Sequence, residues 1–181
     1  YLPAMVRLLL RIYWKLSGWK IAGSFPYNQK KMVLAVAPHT SMFDIMIGFG
    51  ARNQLKITHA KFLGKKELFK GPLGWLLRKL GGTPVDRHSK HGVVEQAAAL
   101  FSSHDEFLLA LAPEGTRTKV DSLRSGFYHI ARMAGVPILP VGFDFKSKQV
   151  VLGELLYPGN DEEADFKKIL AFFSGFTGKH P

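Results

Sequence analysis

The amino-acid sequence predicts an α/β fold: a single layered domain with a mostly parallel or mixed central sheet flanked by helices, preceded by an N-terminal amphipathic helix. Two observations support this prediction. Short, continuous apolar runs typical of buried strands alternate along the chain with longer segments typical of helices. The 181 residues, 46% apolar and 22% charged, are enough for one globular domain with a real core and too few for two substantial domains.

Turn and cap residues divide the chain into its elements. A loop over 23–31 leads to a buried strand over 32–37, which Pro38 ends. Ser41 is a suitable N-cap for a helix that runs to about Asn53. The later elements are strands over 61–63, 83–85, 107–112, 138–143 and 150–152, and helices over 66–80 (broken near Gly71 and Pro72), 93–101, 126–134 and 162–173.

The first helix is assigned to residues 1–20, and the α/β domain to residues 21–181. Arg7, Arg11 and Lys15 are spaced four apart on one helical face, and apolar side chains cover the rest. The uncharged runs are far shorter than the about 20 apolar residues of a spanning helix, so we expect no transmembrane segment. No small-residue cleavage site follows a clean apolar core, so we expect no signal peptide. The pattern favours a helix lying in the membrane interface. The alternative is a helix packed on the protein's own core with a solvated basic edge.

The excess of basic residues limits the classes of binding partner to be considered. The 25 Lys and Arg residues outnumber the 14 Asp and Glu residues, giving a net charge of +11 with His neutral. A charge of this size favours nucleic acid, anionic lipid or phosphorylated small substrates. Cysteine is absent, which excludes disulfides and thiol catalysis. The six histidines other than His39 show no metal-ligand spacing, so we expect no metal site.

The segment 61–79 interleaves lysines and arginines with leucine, phenylalanine and tryptophan. Such a segment can dock on an anionic membrane or guide a phosphorylated headgroup. In the alternative interpretation, its apolar residues belong to the core and its lysines form a solvated rim.

Three polar clusters directly follow predicted strands, where an open α/β sheet places its chemistry. The first contains His39 and Asp44. Histidine can take a proton from an alcohol near neutral pH, and a carboxylate on its second nitrogen fixes the tautomer. Residues five apart do not face each other on a continuous helix, so the pair requires His39 in the loop and a turn at the helix start. Structural capping is the alternative.

The other two clusters offer groups for an anion. Arg87 can present its guanidinium to a phosphate, or it can form a surface ion pair with Asp86. In Pro-Glu-Gly-Thr-Arg, residues 113–117, glycine permits close backbone approach while threonine and arginine supply a hydroxyl and a cation. Glu114 can order this loop or position the cations. A charged tight turn with an internal salt bridge is the alternative.

Taken together, the clusters resemble the motifs of the glycerolipid acyltransferases, the family that includes 1-acylglycerol-3-phosphate acyltransferase. That family shows His-x4-Asp, a Gly-rich strand ending in Arg, Pro-Glu-Gly-Thr-Arg, and an apolar Val-Pro-Ile-x-Pro-Val block. This sequence has them in the same order, as His39 with Asp44, 82–87, 113–117 and 136–141. The motifs cover most of the chain, and four in order are a far more specific signal than any one.

The resemblance implies an acyltransferase without metal, cofactor or covalent acyl-enzyme. By this analogy His39, held by Asp44, deprotonates the free hydroxyl of 1-acylglycerol-3-phosphate, which attacks the thioester of acyl-CoA or acyl-carrier protein and gives phosphatidate. The phosphate of the acceptor would be bound by Arg87, Glu114, Gly115, Thr116 and Arg117. We further expect a peripheral or monotopic protein at the cytoplasmic face of a membrane, with an anionic membrane surface as partner and no nucleic acid.

Three residues depart from the family pattern: Pro38 where many members have Asn, Ala112 where an aromatic or aliphatic residue is common, and Thr118 where Ser is common. These departures leave another lysolipid or an aminolipid open as the acceptor. A different class, a non-enzymatic basic module for membrane or nucleic acid, would explain the charge. It would not explain the paired histidine beside two arginine clusters, and no recognised nucleic-acid motif is present.

Overall fold

A seven-stranded sheet forms the centre of the molecule, within the residues that this computed structural model describes: 4–38, 41, 43–86, 89, 92–114 and 123–178. The strands are β1 (Lys20–Ala22), β2 (Lys31–Ala37), β3 (Lys61–Lys65), β4 (Gly82–Val85), β5 (Phe107–Leu111), β6 (Ile138–Asp144) and β7 (Gln149–Leu152). Their order is β1-β7-β6-β2-β5-β3-β4. All neighbours pair in parallel except β6 and β7, which are antiparallel. The predicted α/β fold is confirmed.

The helices cover both faces of this sheet. They are α1 (Ala4–Ser17), α2 (Phe43–Gln54), α3 (Gly71–Lys79), α4 (Val93–Ser102), α5 (Gly126–Ala134) and α6 (Glu162–Phe173). The break predicted near Gly71 and Pro72 is present and divides the segment 66–80 into a 3-10 turn at Lys66–Phe69 and α3, because the backbone is extended at Lys70. The other elements predicted after residue 31 are present, with bounds that differ by no more than two residues.

Strand β1 was not predicted. It has three residues, of which Lys20 is exposed, so it shows neither an apolar run nor an alternating pattern. It is a strand because it pairs with β7, where Ile21 lies opposite Val150. That pairing joins distant parts of the sequence and leaves no local signal.

The apolar run of β2 reflects burial on both faces of the sheet. Met32 and Leu34 pack into the core that α1 and α2 cover, and Val33 and Ala35 pack into the core that α4, α5 and α6 cover. Helices on both faces are the usual arrangement around parallel strands. The side of the sheet that carries α1 and α2 also carries the pocket described below.

Helix α1 packs on the core with one side only. Leu10 and Trp14 are buried, and a Cβ added to Gly50 of α2 would lie 2.6 Å from Cε3 of Trp14. At about 100° per residue, the basic residues border this buried side. The remaining side is exposed and apolar: Met5, Leu8, Leu9, Ile12 and Leu16. The alternative interpretation, in which α1 packs on the protein's own core, therefore holds for one side of the helix. It does not explain the exposed apolar side.

The parallel strands bring the predicted clusters to one edge of the sheet. Ala37, Val85 and Leu111 end β2, β4 and β5, and the three polar clusters follow these residues. Because β2, β5, β3 and β4 are consecutive in the sheet, their carboxyl ends lie side by side.

Candidate active site

Two of the predicted site residues, Asp44 and Glu114, belong to the described part of the chain. The other five lie outside the described residues: His39, Arg87, Gly115, Thr116 and Arg117. The site is therefore built from the two carboxylates and from the elements that lead to the other five positions.

Asp44 is a buried carboxylate in the first turn of α2, with 1% of its surface exposed. Its Oδ2 accepts a hydrogen bond of 2.7 Å from the backbone N–H of Ser41, and its own N–H donates to the Ser41 carbonyl at 3.2 Å. The Ser41 hydroxyl accepts from the N–H of Phe43 at 3.0 Å, as expected of a residue that caps a helix. The positive end of the helix dipole also favours a carboxylate here.

These hydrogen bonds fold the chain back at the start of α2. That is the turn which a contact between position 39 and Asp44 requires, because the two residues would not face each other on one helix. Asp44 also helps to form the cap, so the structural alternative describes part of its role. A carboxylate shielded from water in this position can orient an imidazole and stabilise its charged form.

Glu114 lies just beyond β5, next to β2 in the sheet. Its side chain is buried, as is Pro113 before it. The N–H of Arg124 donates to the Pro113 carbonyl at 2.8 Å, so the chain on either side of residues 115–122 is joined at the end of β5. The Pro-Glu-Gly-Thr-Arg motif thus begins from a fixed point beside the Asp44 turn.

The backbone just before Arg87 is held by Gln96, which was not among the residues predicted from the sequence. The side-chain amide of Gln96, in α4, accepts from the N–H of Asp86 at 3.0 Å and donates to its carbonyl at 2.7 Å. The Asp86 carboxylate lies 3.4 Å from Nζ of Lys66. A single glutamine on a helix gives no sequence signal, because its role depends on a strand end ten residues earlier.

The sheet order sets the distances between the three clusters. Adjacent strands lie about 4.8 Å apart, so β5 ends one spacing from β2, and β4 ends three spacings, roughly 14 Å, from β2. The end of β5 therefore lies directly beside the Asp44 turn, and the end of β4 lies farther along the same edge of the sheet.

An apolar pocket of about 530 Å³ has Asp44 in its lining. Its walls are α2, the sheet and the segment from the 3-10 turn to Leu80, and its lining includes Val36, Phe49, Phe62 and Leu77. Both Asp44 and Arg52 line it, and they are about 12 Å apart along the α2 axis. The pocket is of the size and character of ordinary small-molecule sites, roughly 300–1,000 Å³.

Arg52 marks the end of α2 away from Asp44, and sequence reasoning missed it too. Its guanidinium is buried and donates from Nη1 to the Leu80 carbonyl at 2.6 Å and from Nη2 to the Thr58 carbonyl. It lies 5.5 Å from the centre of the Phe49 ring. Burial lowers the pKa of Arg52. These contacts tie α2 to the turn after α3 and place a cation in a mostly apolar pocket.

The described residues contain neither a metal-type cluster nor a membrane-spanning helix. No three His, Asp or Glu side chains among them are grouped as a metal site would require. None of the helices they form has the length and apolar character needed to cross a membrane.

Comparison with known proteins associates the chain with acyl transfer. Residues 20–144 match the family model described as Acyltransferase. The 1-acyl-sn-glycerol-3-phosphate acyltransferase of Escherichia coli K12 is 29% identical over 130 residues, which are 66% of this chain and 50% of that protein. The lyso-ornithine lipid O-acyltransferase of Pseudomonas aeruginosa is 30% identical over 147 residues, 79% of this chain and 54% of that protein. The chain thus spans about half the length of these curated relatives.

A solved structure shares the fold. The crystal structure of the 1-acyl-sn-glycerophosphate acyltransferase of Thermotoga maritima superposes with a TM-score of 0.61 and 22% sequence identity. The match covers 94% of this chain and 77% of that one. The α/β arrangement of sheet and helices is therefore common to both chains.

Proposed function

Because the chain belongs to the Acyltransferase family, whose model matches residues 20–144, we propose that it transfers a fatty acyl group from a thioester donor to the free hydroxyl of 1-acylglycerol-3-phosphate, forming phosphatidate. The observation that carries this proposal is the buried Asp44 carboxylate, which is held in a turn at the carboxyl edge of the sheet and lines an apolar pocket. Relatives whose names specify this acceptor support it.

In the proposed reaction His39 is the general base. It takes the proton of the acceptor hydroxyl, and the oxygen attacks the carbonyl carbon of the thioester. The carbon–sulfur bond breaks, and the departing thiolate of CoA or acyl-carrier protein receives the proton from His39. Asp44 orients the imidazole and stabilises its charge between these two transfers.

The pocket is proposed to hold the acyl chain of the donor. Asp44, near which the thioester carbon must lie, and Arg52, about 12 Å further along α2, both line it. Apart from these two residues and Lys61, its lining is apolar, so a fatty chain would leave water on binding. Binding energy from the chain would then position the thioester against the acceptor hydroxyl.

The acceptor phosphate is proposed to bind between the ends of β4 and β5. The groups assigned to it are Arg87, Glu114, Gly115, Thr116 and Arg117. Gln96 supports this assignment, because it holds the backbone of Asp86 just before Arg87. Guanidinium groups suit phosphate oxygens, with which they form paired hydrogen bonds.

We also propose that the protein works as a peripheral protein on an anionic membrane, at the cytoplasmic face. The exposed apolar side of α1 supports this, because Leu8, Leu9 and Ile12 lie beside a border of cations. Apolar residues next to cations are typical of helices that lie in the interface of an anionic bilayer.

A second acceptor is favoured by one comparison. The relative named as a lyso-ornithine lipid O-acyltransferase is as similar to this chain as the relatives that act on the glycerophosphate acceptor. The same base and pocket would serve this chemistry. The acceptor would then need no phosphate, and the arginine cluster would contribute less.

The experiment uses vesicles that contain 1-acylglycerol-3-phosphate or lyso-ornithine lipid, with labelled acyl-CoA and acyl-carrier protein in parallel. We expect label in phosphatidate with the unchanged protein and none with His39→Ala. Label only in ornithine lipid would reassign the acceptor and keep the base. If the folded protein transfers label to none of the acceptors, the proposal that it is an acyltransferase is contradicted, and the non-enzymatic basic module is favoured.

A further inference from the structure

We propose that α3 is a second lipid-binding element, which inserts Leu73, Trp75 and Leu76 into an anionic bilayer beside the pocket. This inference rests on the proposed function in one respect, since it takes the pocket to be the site of a lipid reaction. It adds a membrane-binding surface that is separate in sequence from α1.

The exposure of α3 is unusual for a helix of a folded domain. Of its nine residues only Gly74 is buried. Leu73 is 54% exposed, Trp75 is 63% exposed and Leu76 is 46% exposed. A surface helix is normally held by burying its apolar side, and this helix leaves most of its apolar residues in water. The fold alone therefore does not account for these side chains.

The packing of α3 determines which side faces outward. A Cβ on Gly74 would lie 2.1 Å from the Phe69 carbonyl carbon, so the helix is pressed against the 3-10 turn at this residue. Leu77, one turn on, lines the pocket. At about 100° per residue, Trp75 and Leu76 then lie on the side away from the protein.

The charges of the segment select an anionic bilayer as the partner. Residues 61–80 contain a single acid, Glu67, against the cations Lys61, Lys65, Lys66, Lys70, Arg78 and Lys79. In the described part of the chain, no carboxylate lies within salt-bridge distance of Lys70, Arg78 or Lys79.

The arrangement on α3 matches that of residues at a membrane surface. Nζ of Lys79 lies 5.7 Å from the centre of the Trp75 ring. Tryptophan prefers the headgroup region, and lysine can extend its amine to lipid phosphates. A second copy of the chain fits this surface poorly, because it would bring the same cations face to face.

The exposed surface of α3 lies beside the pocket, on the side of the sheet that also carries α1 and α2. α1 packs on α2, and α2 and α3 line the same pocket, so the two exposed apolar surfaces belong to the helical layer on one side of the sheet. Leu68, just before α3, lines the pocket and is half exposed. A bilayer that meets α3 would lie next to the pocket, and a fatty chain would pass between them without crossing water.

The first test uses Trp75 as its own reporter. The chain has three tryptophans, and Trp14 and Trp19 are buried while Trp75 is exposed. Subtracting the emission of Trp75→Phe from that of the unchanged protein isolates Trp75. With phosphatidylglycerol vesicles we expect a blue shift and quenching by lipids brominated on the acyl chain, and neither effect with phosphatidylcholine. Vesicle-bound protein whose Trp75 emission is unchanged would overturn the proposal.

The second test compares matched double variants. Leu73→Ser/Leu76→Ser changes α3, and Met133→Ser/Leu170→Ser changes two leucine-sized residues on the other side of the sheet, which are 57% and 44% exposed. We expect the α3 variant to lose about tenfold or more in vesicle affinity and the control to lose little. Equal affinities of the two variants would overturn the proposal. Melting temperatures check that both are folded.

A third measurement separates this proposal from the proposed function. With a short-chain acceptor and donor below their micellar concentrations, we expect the α3 variant to transfer acyl groups as fast as the unchanged protein, and more slowly on vesicles. Equal losses in both assays would overturn the membrane role. If the unchanged protein transfers nothing in either assay, the proposed function fails, and the quenching of Trp75, which needs no turnover, still decides the proposal for α3.

Discussion

The backbone N–H of Ser41 donates a 2.7 Å hydrogen bond to Oδ2 of Asp44, which is 1% exposed. A carboxylate this far from water must be held by hydrogen bonds or opposite charge. This bond links the turn after the central strand β2 to the first turn of α2. The bond thus fixes the position of Asp44, the proposed acidic partner of the catalytic base.

Gln96→Met should weaken binding of the acceptor and leave binding of the acyl donor unchanged. The two hydrogen bonds from the Gln96 amide hold the backbone of Asp86 just before Arg87. Losing them should weaken acceptor binding by about 0.5–1.5 kcal/mol, which raises KM for 1-acylglycerol-3-phosphate roughly two- to twelvefold.

Steady-state kinetics with each substrate varied in turn measure this effect. An unchanged KM for the acceptor, or an equal rise in both KM values, would contradict a positioning role for Gln96. The effect should also be smaller for an acceptor without a phosphate.

The packing of α1 on α2 predicts opposite effects for two glycines of the same helix. A Cβ on Gly50 would lie 2.6 Å from the Trp14 ring, whereas the nearest atom to a Cβ on Gly48 is 3.8 Å away. Gly50→Ala should therefore lower the free energy of unfolding by about 1–3 kcal/mol. Gly48→Ala should be neutral or raise it by about 0.5–1 kcal/mol, because alanine favours a helix interior. Urea denaturation of both variants checks this; equal effects would contradict the packing.

Arg52→Met should lower the free energy of unfolding by about 1–3 kcal/mol. The guanidinium donates to the carbonyls of Leu80 and Thr58, and methionine leaves these acceptors unsatisfied. Arg132→Met, at an exposed arginine of α5, is the control and should cost much less. The comparison is made by urea denaturation, and equal losses would show that the Arg52 hydrogen bonds contribute little.

The carboxyl of Asp165 predicts a loss of stability in acid. Burial alone would raise its pKa, but hydrogen bonds from the Gly159 N–H and the Tyr128 hydroxyl, together with Lys168, hold the pKa of Asp165 below its usual range. Because the folded state then favours the ionised form, this stability is present above the unfolded pKa of about 3.9 and is lost as pH falls through the folded value. Asp165→Asn should flatten the fall in melting temperature below about pH 4. An identical acid profile would contradict the assignment.

The parts of the fold that the sequence predicted are those with strong local patterns. The strand β2 is apolar along its length because both its faces are covered, and α5 ends where Gly135 adopts a left-handed conformation with φ of 64°. The strand β1 was not predicted because its three residues carry no strand pattern of their own and are ordered as a strand by pairing with β7.

The same distinction applies to the candidate site. Asp44 and Glu114 could be proposed as site residues from the sequence because they belong to motifs that follow strands directly. Gln96 and Arg52 were not, because their roles come from backbone groups elsewhere in the chain: Asp86 for the first, Leu80 and Thr58 for the second. The exposure of α3 was equally hidden, since a sequence of leucine, tryptophan and lysine fits a core helix as well as a membrane surface.

The most direct test of the central claim is the rate of acyl transfer to 1-acylglycerol-3-phosphate by Asp44→Asn. Asparagine keeps an oxygen for the Ser41 N–H but removes the charge that stabilises the imidazolium. The control is Asp165→Asn, the same change at a buried carboxylate of α6. We expect a fall of about 10²- to 10⁴-fold in kcat for Asp44→Asn, with little change for the control. A folded Asp44→Asn protein that transfers acyl groups at nearly the unchanged rate would contradict the claim that Asp44 supports the catalytic base.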